Sequence, residues 1–181
     1  EHGIVHRDLK PENVMFHNNG SVKLMDFGIA RLRDDVQVTM TGALVGSPAY
    51  MSPEQATSGD LDARSDLFSL GTVLYRMVTG TLPFRGGNPS VVLKNIIDCT
   101  YADPEERVPS ISAELGAIIR RLLAQNADDR YPSAAAVQED LEASLRAVLI
   151  DPAEPGAWDV GDYLADAEGY EERLRVHLIH T

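Results

Sequence analysis

Residues 4–13 read Ile4-Val5-His6-Arg7-Asp8-Leu9-Lys10-Pro11-Glu12-Asn13 (IVHRDLKPEN). Next come two short runs, 13–17 (NVMFH) and 21–26 (SVKLMD), on either side of Asn18-Asn19-Gly20. Short runs joined by Asn and Gly are a β-hairpin signal. A hairpin brings its two ends together, so Asn13 and Asp26 are expected side by side. Two oxygen donors on adjacent strand ends suit a hard cation such as Mg2+, which takes one or two protein oxygens and completes its shell with water and phosphate. Asp8 is then placed to orient a hydroxyl nucleophile, and Lys10 to neutralise a phosphoryl group. Asp8, Lys10, Asn13 and Asp26 together are a minimal set for moving a phosphoryl group to an alcohol.

Composition narrows the setting. The chain has 181 residues, 44% of them apolar, enough for one ordinary domain with a core and a short appendage. Its net charge of −12 argues against nucleic acid or anionic lipid as partner, since both favour a basic face. Residues 151–181 hold 8 of the 28 acidic residues but only 2 of the 16 lysines and arginines, which marks a separate unit at the end. The single cysteine, Cys99, rules out an intramolecular disulfide and fits a reducing, cytoplasmic setting and a place in the core. No apolar run approaches the ~20 residues of a membrane helix, and no signal peptide is recognisable.

Beyond the hairpin the pattern turns helical. Residues 29–50 form a long irregular stretch, a length that usually signals function or mobility. Residues 66–79 (DLFSLGTVLYRMVT) predict a helix capped by Ser65 or Asp66 and stopped at Gly80. Leu67, Phe68, Leu70, Val73, Leu74, Met77 and Val78 occupy most of its circumference, so burial on all sides is expected. Asn88 and Pro89 open a shorter helix to about Ile97; further helices are expected over 113–124 and 133–149, the last with a stripe of Val137, Leu141, Leu145 and Val148. Pro152, Pro155 and Gly156 read as a linker. His2, His17, His177 and His180 lack metal-ligand spacing and read as surface residues.

The polar motifs carry a resemblance. HRDLKPEN at 6–13 followed by DFG at 26–28 resembles the catalytic and metal-binding loops of protein kinases. GSPAYMSPE (46–54) resembles the end of a kinase activation segment, and DARSDLFSLG (62–71) the start of the family's central buried helix. Pro83-Phe84 and Asp129-Arg130-Tyr131 match later landmarks in order. The resemblance implies a mainly α fold, a kinase-like C-lobe with a small β-hairpin at the catalytic cleft. It covers residues 1–149, leaving 150–181 as an acidic linker or the start of another domain. It implies ATP with Mg2+ or Mn2+ as cofactors and protein serine or threonine hydroxyls as substrates. By position it makes Asp8 the base, Lys10 the phosphate contact, and Asn13 and Asp26 the metal ligands. His6 and Phe27 would pack in a regulatory spine, and Glu54 would pair with Arg130. Asp66 would hold the catalytic-loop backbone. Lys10 two residues after Asp8 is the serine/threonine pattern.

VTMTGALVGSPAYMSPEQ (38–55) is most similar to bacterial kinases of the eukaryotic-like type, in which a T-x-T pair is autophosphorylated. Thr39 and Thr41 take that place, and Arg7 would bind the added phosphate. No Gly-rich phosphate loop or strand lysine appears in the chain, so a missing N-lobe segment is expected as a partner, and the chain by itself is expected to be inactive. Two rival classes remain: a non-catalytic kinase-like scaffold or substrate-docking module, and a small-molecule phosphotransferase. The peptide-platform resemblance at 46–54 speaks against the last.

Overall fold

The computed structural model describes residues 4–17, 21–26 and 48–147. Its first elements are a 3-10 turn at Pro11–Asn13 and two antiparallel strands, β1 (Val14–Phe16) and β2 (Val22–Leu24). The register pairs Val14 with Leu24, Met15 with Lys23 and Phe16 with Val22. The expected hairpin is therefore present, and its open end lies at Asn13 and Met25.

After a 3-10 turn at Pro48–Tyr50 the chain is helical: α1 (Pro53–Ala56), α2 (Ala63–Thr79), α3 (Pro89–Ile97), α4 (Pro104–Arg107), α5 (Ala113–Leu122) and α6 (Ala134–Ala147). Capping explains most boundaries. Ser52 and Gln55 form a reciprocal capping box on α1. Asn88, Asp103 and Ser112 each accept a hydrogen bond from a main-chain amide in the first turn of α3, α4 and α5. Gly80 ends α2 in the left-handed conformation, with φ 70°, that a side chain would resist.

The α2 prediction needs two corrections. The helix begins three residues earlier than expected, because Asp62 rather than Ser65 or Asp66 is its cap, accepting from the Arg64 amide. That frees Ser65 and Asp66 to bond elsewhere. Burial on all sides holds from Ser65 to Tyr75, where no residue is exposed, but it fails at the last turn, where Met77 is 73% exposed. The buried set also includes Ser65, Ser69, Gly71 and Thr72, which an apolar count ignores.

Two apolar clusters flank α2. Phe68, Tyr75, Phe84, Ile96, Ile119 and Leu123 form one, with Phe68 stacked on Phe84 at 5.6 Å and Tyr101 set edge-on to Phe84 and Tyr75. Leu67, Ile118, Leu122, Tyr131 and Val137 form the other. A Cβ on Gly71 would stand 2.7 Å from that of Leu122, so this glycine permits the close approach of α2 to α5. Cys99 packs beside the first cluster, and burial pushes its thiol up to about 11. On α6 the expected stripe fades: Val137 is buried, Leu145 is exposed, and Val148 lies outside the described residues. Among the described residues no helix is long and apolar enough to cross a membrane.

Candidate active site

The loop before β1 is held by its main chain. The Asp66 carboxylate, in the first turn of α2, accepts from the amides of His6 (2.7 Å) and Arg7 (2.8 Å). Charge-assisted bonds to a carboxylate are among the stronger ones available. They hold a strained backbone: Arg7 has φ 66°, which costs a non-glycine residue roughly 1–2 kcal/mol. The Gln55 side chain of α1 donates to the Arg7 carbonyl at 2.8 Å from the other side. His6 is buried; its Nδ1 accepts from the Asp8 amide (3.3 Å), so its proton is on Nε2, which faces the Met25 carbonyl at 2.8 Å.

Around Asp8 the polar side chains converge. Lys10 Nζ pairs with Asp8 Oδ2 at 2.8 Å. Asn13, itself buried, donates from Nδ2 to the Asp8 carbonyl (2.7 Å) and to Asp8 Oδ2 (3.1 Å). Spending Nδ2 on Asp8 leaves Asn13 Oδ1 as an acceptor. The Met25 amide donates to the Asn13 carbonyl at 2.8 Å, closing the hairpin and placing Asp26 one residue beyond. Asp26 is exposed with φ 51°, a conformation aspartate tolerates better than most residues. Its carboxylate has no hydrogen bond or ion pair among the described residues. Oδ1 of Asn13 and the Asp26 carboxylate are thus two hard oxygen donors at one hairpin mouth, a set that fits Mg2+ completed by water and phosphate. Among the described residues no group of three or more His, Cys, Asp or Glu could hold a metal by itself.

The wall of the site is tied to α2. Arg130, with a fully buried side chain, meets Glu54 through two bonds, 2.7 and 2.8 Å. Its other three N–H groups go to the carbonyls of Ala124, Arg64 and Gln125. Burial alone would push the Glu54 carboxyl up; hydrogen bonds from Arg130 and Ser65 outweigh it and hold the group below its ordinary value. Ser69 donates to the Tyr50 carbonyl, and Arg76 to the Tyr50 hydroxyl. One strip of α2 therefore serves three segments: Asp66 the loop at 6–7, Ser65 the Glu54 carboxylate, and Ser69 the turn at 48–50.

The structure thus brings Asp8, Lys10 and Asn13 into direct contact, sets Asp26 at the same hairpin end, and joins His6, Asp66, Glu54 and Arg130 to the supporting frame. The Arg7 guanidinium makes no hydrogen bond or ion pair among the described residues. Phe27, Thr39 and Thr41 lie outside the described residues. Sequence reasoning missed Gln55 and Ser69, and it read Ser65 as a helix cap rather than as a partner of Glu54. The pattern Ser52-Pro53-Glu54-Gln55 is a capping-box signal that would have found the first; serines four apart in an apolar helix hint at the other two.

Comparison with known proteins gives the same direction as the motifs. The family described as "Protein kinase domain" matches residues 1–141. Serine/threonine-protein kinase PknB of Mycolicibacterium smegmatis is 44% identical over 170 residues, covering 93% of this chain and 26% of that protein. The protein of the same name in Mycobacterium tuberculosis is 44% identical over 143 residues, 78% of this chain and 23% of its own length. A probable serine/threonine-protein kinase of Streptomyces coelicolor is 46% identical over 145 residues, 79% and 22% respectively. The chain spans about a quarter of the length of the relatives it matches.

Proposed function

The chain belongs to the protein kinase family, and on that premise we propose that it is the C-lobe portion of a serine/threonine protein kinase that moves the γ-phosphate of ATP to protein serine or threonine hydroxyls. In this reading residues 1–149 are part of the kinase domain and 150–181 an acidic extension. The observation that carries it is the cluster in which Asp8 receives Lys10 at 2.8 Å and Asn13 at 2.7 and 3.1 Å.

The roles are assigned by position in the family's motifs, and the contacts among Asp8, Lys10 and Asn13 support the first of them. The Asp8 carboxylate orients the acceptor hydroxyl and takes its proton as the oxygen attacks. Lys10 spans the space beside Asp8 and offsets the charge of the transferring phosphoryl group. Asn13 Oδ1 and the Asp26 carboxylate would hold the cation, Mg2+ or Mn2+, whose chemistry there would be to offset the negative charge of the ATP phosphates. Arg7, whose guanidinium is uncommitted among the described residues, receives a phosphate on Thr39 or Thr41.

The exposed apolar surface supports a further covering unit. Phe16, Val22 and Leu24 share one face of the hairpin and are each at least 44% exposed. An exposed apolar face of this kind suits an interface. An N-lobe seated on the hairpin would bury it and supply the rest of the ATP clamp, so the chain by itself is inactive.

The test uses the full-length product that contains this chain, with Mg-ATP and a generic Ser/Thr protein substrate. Asp8→Asn should lower turnover by about 10²–10⁴-fold, the usual worth of a positioned base. An unchanged rate would mean that the site is not the seat of transfer, and activity of residues 1–181 alone would refute the need for a covering unit.

A further inference from the structure

We infer that Gln55 is a positioning residue for Asp8: its side-chain amide ties the segment that begins α1 to the peptide plane from which Asp8 projects. This rests on the kinase reading above.

The orientation of that amide is fixed by its partners. Ser52 N–H needs an acceptor, and Gln55 Oε1 takes it at 2.9 Å. The Arg7 carbonyl needs a donor, and Gln55 Nε2 supplies it at 2.8 Å across 48 residues of sequence. One side chain therefore closes the cap of α1 and reaches the catalytic loop with its other end.

The bond falls where it matters for Asp8. The peptide unit between Arg7 and Asp8 has two polar ends. Its carbonyl is held by Gln55, and its N–H is held by His6 Nδ1 at 3.3 Å. The preceding unit is held at the Arg7 amide by Asp66. Rotation of the Arg7–Asp8 plane would swing the Asp8 carboxylate, and the left-handed φ of 66° at Arg7 leaves the plane ready to relax. Of the two bonds on this plane the Gln55 bond is the shorter. It also links Asp8 to the segment carrying Tyr50, Ser52 and Glu54, so a shift of that segment reaches the base directly.

Gln55→Glu separates the two halves of the amide. A carboxylate still accepts from Ser52 N–H, and glutamate serves a capping box as well as glutamine does. It cannot donate to the Arg7 carbonyl and sets oxygen against oxygen there. In the full-length product, Gln55→Glu should lower the unfolding midpoint by only a few degrees, the worth of one hydrogen bond, and keep its KM for ATP, while kcat falls roughly tenfold to a hundredfold, the scale of a small misplacement of a catalytic group. Hydrogen exchange of the amides at 6–8 should accelerate about fivefold or more, matching one lost hydrogen bond. Unchanged exchange at 6–8 overturns the inference. So does faster exchange with unchanged kcat, or a rise in peptide KM at constant kcat, which would make Gln55 a substrate contact. If the wild-type product shows no phosphoryl transfer, the kinase reading fails instead, and the exchange rates still decide whether the bridge holds the loop.

Discussion

Removing Glu54 should destabilise this chain more than its place on a four-residue helix suggests. The magnitude comes from what Arg130 would be left with. Its side chain is fully buried and its five N–H groups are all bonded, two to Glu54 and three to main-chain carbonyls. Glu54→Ala strands two of those donors and leaves an uncompensated cation against the Phe68 ring, 4.9 Å away. Breaking a buried pair from one side costs about 3–5 kcal/mol. Glu54 is itself 16% exposed, so water reaches the vacated side and the lower end, about 3 kcal/mol, applies. In a protein of this size that is a fall in Tm of about 6–12 °C. Urea unfolding of wild type, Glu54→Ala, Arg130→Met and the double variant measures it as a cycle. The double variant should lose less than the two single variants summed, because the stranded charge is gone. A loss below about 1 kcal/mol for Glu54→Ala would show that water or repacking satisfies Arg130, and the argument from its five donors would fail.

Two further outcomes follow from the same frame. Thr72 Oγ1 is the one buried side-chain polar atom among the described residues with no hydrogen-bond partner, so Thr72→Val should raise stability by about 1 kcal/mol in urea unfolding; a loss would reveal a partner for the hydroxyl. Acid should weaken the Glu54–Arg130 link. Because the folded Glu54 carboxyl titrates below its ordinary value, its contribution is complete above the unfolded value and is lost as pH falls through the folded one. Tm measured down to about pH 3 should therefore decline more steeply for wild type than for Glu54→Gln, and parallel declines would contradict the link.

Much of the site was legible because it is local. His6 to Asn13 lie within one loop, and the strand–Asn-Asn-Gly–strand pattern implied the hairpin that joins Asn13 to the Asp26 end. Asn88, Pro89 and Gly80 marked helix ends through chemistry acting within a turn or two. Less legible were short elements. Both α1 and α4 span only four residues, too few for a period to show, although Ser52-x-x-Gln55 and Asp103-Pro104 carried their caps.

What the sequence by itself determined was the family motifs, the hairpin and the longer helices, since these depend on neighbours a few positions apart. Only the tertiary structure decided how the chemical groups are held. A hydrophobic period treats Ser65, Asp66 and Ser69 as gaps in an apolar helix. In the folded chain their partners come from Glu54, the loop at 6–7 and Tyr50, up to 60 residues away. Arg130 finds Glu54 across 76 residues, and Gln55 finds Arg7 across 48. A buried polar group needs a partner wherever the fold can supply one, and local periodicity carries no record of which distant segment that is.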